Sequence, residues 1–155
     1  MLKKFVSSVL ALVLLCGCSQ ANTSATATTS SSADEIASTL ISKLGLDANL
    51  TATKDRVIKG MIFDGEEVTS DAALYTSSDN GNADSVGVFF ADDVDACKKA
   101  LDSYLNTQKQ NAQTYNADQV FKISNAIVES NGNEIILVVW DNIEDAKKVV
   151  QETLK

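Results

Sequence analysis

The sequence predicts an α+β fold: an antiparallel sheet of about four strands from two ββα units, with helices packed on it and an N-terminal helix ahead of them. Three observations predict it. A pattern of apolar strand, acidic turn and amphipathic helix occurs twice, with Asp92 and Asp141 standing 49 positions apart. The pair Asn131-Gly132 joins two apolar runs, as in a tight hairpin. A third amphipathic stretch, around Ile36 to Leu44, precedes both copies.

The chain begins with a different kind of segment. Lys3 and Lys4 are followed by an apolar run from Phe5 to Leu15, then by Cys16-Gly17-Cys18. A basic start, a short apolar run and small residues form the layout of an export signal. Spanning a bilayer by helix needs roughly 20 apolar residues, and this run is too short. Leu15, Gly17 and Cys18 together resemble a bacterial lipoprotein signal, in which Cys18 is acylated and becomes the first mature residue. The alternative is an ordinary signal peptide in which Cys18 is incidental. Residues 1–17 are therefore read as a lipoprotein signal peptide. The expected partner is the membrane, through a lipid on Cys18, and the expected location is its outer, extracytoplasmic face. Two or more fatty chains anchor stably without help from the folded part.

Residues 18–33 comprise the lipidated cysteine and a linker. From Ser19 to Ala33, nine of 15 residues are Ser or Thr and none is charged. Such a stretch buries too little surface to offset its ordering entropy, so it is expected to be disordered and to act as a spacer. Residues 34–155 are long enough for one domain with its own core.

Within that domain, Ile36, Leu40, Ile41 and Leu44 line one side of a helix that Gly45 ends. The segment from Lys54 to Phe63 is ambiguous, with a short helix as one reading. Ala72–Ser77 and Ser85–Ala91 read as strands flanking a polar loop, and Ala126–Glu129 and Glu134–Trp140 read as a hairpin around a type I′ turn. Asp92 and Asp141 are candidate N-caps, with Asp95 and Glu144 three residues later as in capping boxes. Val94, Cys97, Leu101 and Tyr104 share a face of the first helix, which can continue to Tyr115. Ile143, Ala146, Val150 and Leu154 share a face of the second. Both helices are expected on one side of the sheet. The two copies fit a duplication; a chance match of short patterns is the alternative.

The central strands are apolar on both faces. Val86, Val88, Phe90, Ile135, Leu137 and Val139 are expected on one side, and Phe89, Ala91, Ile136, Val138 and Trp140 on the other. A sheet with one wet face does not look like this. Either the N-terminal helix and the segment after it cover the second face, or part of it stays exposed as a ligand or partner patch. Trp140, Val138 and Phe89 are the candidate residues of such a patch.

Composition excludes several chemistries. The chain has 13 basic and 21 acidic residues and no His or Pro. Removing Lys3 and Lys4 leaves 11 basic residues against 21 acidic, a mature net charge of −10. That charge repels nucleic acid and anionic headgroups, so no nucleic-acid partner is expected. It favours basic partners weakly, or serves solubility alone. Without His there is no His-based triad or His metal site, and Cys97 on an apolar helix face reads as a buried small hydrophobe. Once Cys18 is acylated, Cys97 has no intrachain disulfide partner. The run Asp79-Asn80-Gly81-Asn82-Ala83-Asp84 looks like a calcium loop but has Phe90 where the twelfth-position acid belongs. No catalytic, cofactor-binding or metal-ligating residue is identified.

Several segments carry a family likeness: Ala83-Asp84-Ser85-Val86-Gly87-Val88-Phe89, the helix with Gln108 and Gln110 leading to Tyr115, Asn125-Ala126-Ile127-Val128 before Asn131-Gly132-Asn133, and the run Ile135 to Val139. On these the domain from about Asp34 to Lys155 resembles the domain of unknown function 4358, found in Gram-positive, clostridia-type lipoproteins. The family's usual Pro after the tyrosine is absent; Ala117 stands there. Ile62-Phe63-Asp64-Gly65 only approximates its Tyr-Gly-Ile-Asp. The resemblance implies no activity and carries over no functional residue. The expectation is therefore a lipid-anchored module that binds a protein or small ligand, with a cell-wall-directed hydrolase using Asp/Glu chemistry as the alternative.

Overall fold

Near-continuous apolar runs fit strands that are buried on both faces. The two longest such runs become β3 (Ser85–Ala91) and β5 (Glu134–Val139), which pair antiparallel at the centre of the fold. The computed structural model describes residues 31–155. With β1 (Leu50–Ala52), β2 (Thr69–Ser77) and β4 (Ile127–Asn131), the central pair forms a five-stranded, fully antiparallel sheet ordered β1-β2-β3-β5-β4. The additional strand, β1, is only three residues long and too short to show a period.

Helices cover both faces. On one lie α1 (Ala33–Leu44) and α5 (Ile143–Thr153), packed on Val86, Val88, Ile136 and Val138. On the other lie α2 (Asp55–Ile62), α3 (Val94–Tyr115) and α4 (Val120–Ser124), packed on Leu74, Phe89, Leu137 and Val139. A 3-10 turn at Ala117–Gln119 links α3 to α4. Fully burying side chains of this size contributes roughly 1.5–3 kcal/mol each.

The expected alternation holds within each strand, but its assignment across strands does not. Val88 pairs with Ile136, and Gly87 pairs with Leu137. Leu137 is the counterpart of Val88 in the sequence repeat. Residues directly across a pair share a face, whereas neighbours along a strand do not. Val88 and its counterpart thus face opposite sides, so Ile136 and Val138 join Val86 and Val88, while Ile135, Leu137 and Val139 join Phe89. The following helices obey the same inversion. Consequently α3 and α5 lie on opposite faces rather than together.

Local signals place the helix ends. Ser32 caps α1: its Oγ accepts from Glu35 N at 3.3 Å, and the Glu35 carboxylate accepts from Ser32 N at 3.2 Å. The last residues of the Ser/Thr-rich segment therefore belong to the fold, which starts just before Asp34. Gly45 ends α1 in the left-handed region at φ 68°. The caps of α3 and α5 are Asp93 and Asn142, one residue later than expected, and they correspond to each other in the repeat. Asn142 is short enough to accept from Asp145 N, which leaves Asp141 free for another partner. In the β4–β5 hairpin Asn131 pairs with Glu134, so Gly132-Asn133 is the loop. Only Gly132 has positive φ (58°) there, which fits the Gly-first type II′ turn rather than type I′.

Two glycines with opposite surroundings test the packing account. A Cβ on Gly87 would lie 2.7 Å from the Phe89 ring, which is fully buried and meets Phe63 edge-on at 5.9 Å. Gly87→Ala is expected to cost about 1–3 kcal/mol by overpacking. Gly60, within α2, has nothing near its missing Cβ, so Gly60→Ala is expected to gain about 0.5–1 kcal/mol. Urea melts of the two variants should move in opposite directions.

Candidate functional site

The candidate site arises where the chain leaves the sheet. β1 pairs with β2 only from Tyr75 to Ser77, and one further bond runs from Thr53 N to Leu74 O at 2.7 Å. The chain then turns into α2, because Ile58 and Ile62 bury themselves over the face that carries Phe89. Asp64 (φ 52°) and Gly65 (φ 88°) reverse the path, and Glu66 to Val68 lead back into β2. Beside Thr69–Ala73 no strand follows, so this half of β2 is an open edge.

A groove of about 470 Å³ runs along that edge. Its floor is Thr69 to Leu74. The first turn of α1 walls one side, with Asp34 and Tyr75; Asp55, Ile58, Lys59 and Phe63 wall the other. Asp34, Asp55, Glu67 and Asp71 are all solvent-exposed. The groove's one lysine, Lys59, is paired with Glu67 at 2.6 Å. Tyr75 Oη donates to Asp34 Oδ1 at 2.6 Å, and this bond to a carboxylate raises the Tyr75 pKa. Asp71 Oδ2 accepts from Ala33 N at 2.8 Å, which ties the start of α1 to the groove floor. The arrangement offers strand-edge backbone groups and negative charge. Among the described residues no group of three or more His, Cys, Asp or Glu is placed to hold a metal ion.

A second polar constellation lies at the other end of β3. Lys122, on α4, is only 4% exposed, and its ammonium donates to Asp84 Oδ1 at 2.6 Å and to Asn82 Oδ1 at 2.9 Å. It also meets Asp141 Oδ2 at 3.1 Å. Three acceptors match its three donors. Gln119 Oε1 accepts from Ala83 N at 2.9 Å, and Asn116 Nδ2 donates to Gly81 O. The loop that looked like a calcium site is thus filled by the chain's own cation. Burial works to lower the Lys122 pKa; the hydrogen bonds and charges of Asp84 and Asp141 more than reverse it, leaving it above the ordinary lysine value.

Residues 66–140 match the family model named Domain of unknown function (DUF4358). The match covers just under half of the chain. No curated protein and no solved structure matches it. The matched segment runs from the approach to β2 through β5, and it is shorter than the Asp34–Lys155 span of the resemblance. It contains the groove floor and Lys122 with Asn82 and Asp84; Asp141, Asp34, Asp55 and Lys59 stand outside it.

The structure does not bring the expected patch together. Phe89 is fully buried on the α3 side of the sheet, and Val138 is 1% exposed on the α1 side. The odd register separates them, and helices cover both faces. Trp140 alone is partly exposed, in a shallow recess with Lys43, Leu44 and Lys148. Cys18 lies outside the described residues. Sequence reasoning missed the groove, since an open edge is set by where β1 stops. It also missed Lys122, although a single lysine inside Val120-Phe121-Lys122-Ile123 was a visible signal. Cys97 is buried on α3 as expected, and burial pushes its thiol up to about 11.

Two measurements check these assignments. Lys122→Met leaves Asp84 buried without its partner and is expected to cost about 3–5 kcal/mol. Because the folded Lys122 pKa exceeds the unfolded one, its stabilisation is whole below the ordinary value of 10.5 and fades as pH rises through the folded value. Tyr75 and Tyr104 are raised as well and lose stability in the same direction, so the difference between wild-type and Lys122→Met melts is the quantity to follow. That difference should shrink in strong alkali. In the native chain Cys97 is expected to resist a disulfide-exchange reagent at neutral pH and to react once denatured.

Proposed function

We propose that this chain is a lipid-anchored module on the outer face of the cell membrane, held through Cys18, which binds a protein or small ligand as an accessory of the envelope. The observation that carries the binding part is the acidic groove along the open half of β2. An unpaired strand edge holds backbone donors and acceptors in a fixed line, and flanking charges select what pairs with them. The anchoring part is supported by the sequence from Lys3 to Cys18. The place where the chain enters the fold fits it: Ala33 is bonded to Asp71, so a tether from Cys18 enters beside the groove. The acidic surface needs no attraction to headgroups if fatty chains do the holding.

A hydrolytic reading needs two carboxylates facing across a substrate, one of them in surroundings that keep it protonated. The groove carboxylates are all exposed, and Asp34 and Asp71 already serve the fold. No specific observation favours that reading.

Metabolic labelling with a palmitate analogue in the native host is expected to tag the wild-type chain and not Cys18→Ser. The same variant should leave the membrane fraction. Equal membrane retention of both forms, or no label on the wild type, refutes the anchored reading.

A further inference from the structure

We infer that the open edge of β2 takes an extended basic peptide as an added strand, with basic residues alternating with apolar ones. The inference rests on the binding reading above and names the partner's chemistry. Leu74 O accepts from Thr53 on the outer side of β2, and backbone groups two residues apart along a strand point the same way. The N–H and C=O of Ala72 therefore point out of the sheet, into the groove. The register jump between Thr69 and Asp71 makes Ser70 a bulge, so the usable edge lies next to the point where β1 departs. An incoming strand continues the line of β1 and lies between the two helix layers.

The faces of β2 fix what such a strand presents. Ala73 and Tyr75 belong to the α1 face, and Asp71 lies on the same face by alternation. Residues of the added strand on that side meet Asp71 and Asp34. Those on the other side meet Ile58 and Phe63, with Glu67 already paired to Lys59. One side therefore asks for a lysine or arginine and the other for an apolar side chain. Competing occupants fit less well. A second copy pairing β2 with β2 brings two Asp71 and two Asp34 side chains together, which like-charge repulsion opposes. The linker from Ser19 to Ala33 carries no charge to answer the acids.

The test uses the full chain in detergent and fluorescently labelled Lys-Val-Lys-Val-Lys, read by anisotropy. Three further probes are Glu-Val-Glu-Val-Glu and two lysine peptides N-methylated at alternate residues, one in each frame. Expected is saturable binding of the lysine peptide, loss of binding by the frame whose methyls face β2, and roughly tenfold weaker binding to Asp71→Asn. An unchanged melting temperature of Asp71→Asn certifies its fold; should it melt early, adding salt to the wild type supplies the same comparison. Equal binding of both methylated peptides refutes strand addition. Equal binding of the glutamate peptide refutes the charge assignment. No binding at millimolar peptide, or a peptide-free dimer that buries the edge, refutes the inference outright. A chain that is palmitate-labelled at Cys18 yet ignores the peptides overturns this inference and leaves the anchored location standing.

Discussion

Gly87 faces Leu137 across the central strand pair, and the rest of the structure follows from that one-residue offset. Had Val88 paired with its own counterpart, both copies of the repeat would have sent their helices to one face. The other face would then carry Phe89, Ala91 and their neighbours into water. The offset instead divides the apolar residues evenly. Each face receives about half of β3 and half of β5, and each half needs a helix layer. Gly87 itself is part of the same constraint, since the Phe89 ring occupies the space its Cβ would take.

Two faces to cover and a short chain set the remaining architecture. α5 alone does not cover its side, so α1 lies beside it, fixed by the Ser32 cap at one end and Gly45 at the other. On the opposite side α3 and α4 are joined by α2. The residues that form α2 are taken from the line of β1, which stops after three residues. Covering the face has thus left the strand edge bare. The groove is the geometric remainder of that exchange.

This explains which parts of the fold were legible in the sequence. Periodicity marks the helices and the apolar strands, because a side-chain pattern repeats within each element. The Ser85–Ala91 and Glu134–Val139 runs, the α3 extension to Tyr115 and the Gly45 stop were all readable on that ground. Register is a relation between distant segments and leaves no local trace, so the face assignment of Ile136 and Val138 was inverted. β1 is too short to have a period. Lys122 and Asp84 stand 38 positions apart, so their pairing leaves no local trace beyond the lone lysine between Phe121 and Ile123. Trp140 drew attention as a large apolar side chain at a strand end, yet its neighbours Val138 and Phe89 are core residues on opposite faces.

The acidic surface now has separable roles. Asp93 and the first-turn acids cap and complement helix N-termini. Asp84 and Asp141 neutralise a buried ammonium. Asp34, in the first turn of α1, and Asp71, which accepts from Ala33 N, serve that helix too, but they also border an open sheet edge, a template for self-association. A charged border protects such an edge by repelling its own kind. Because repulsion of like charge and attraction of unlike charge share one origin, the carboxylates that keep two copies apart also make the edge selective for a strand of opposite sign. Protection and recognition here are therefore a single electrostatic property, read by two different partners.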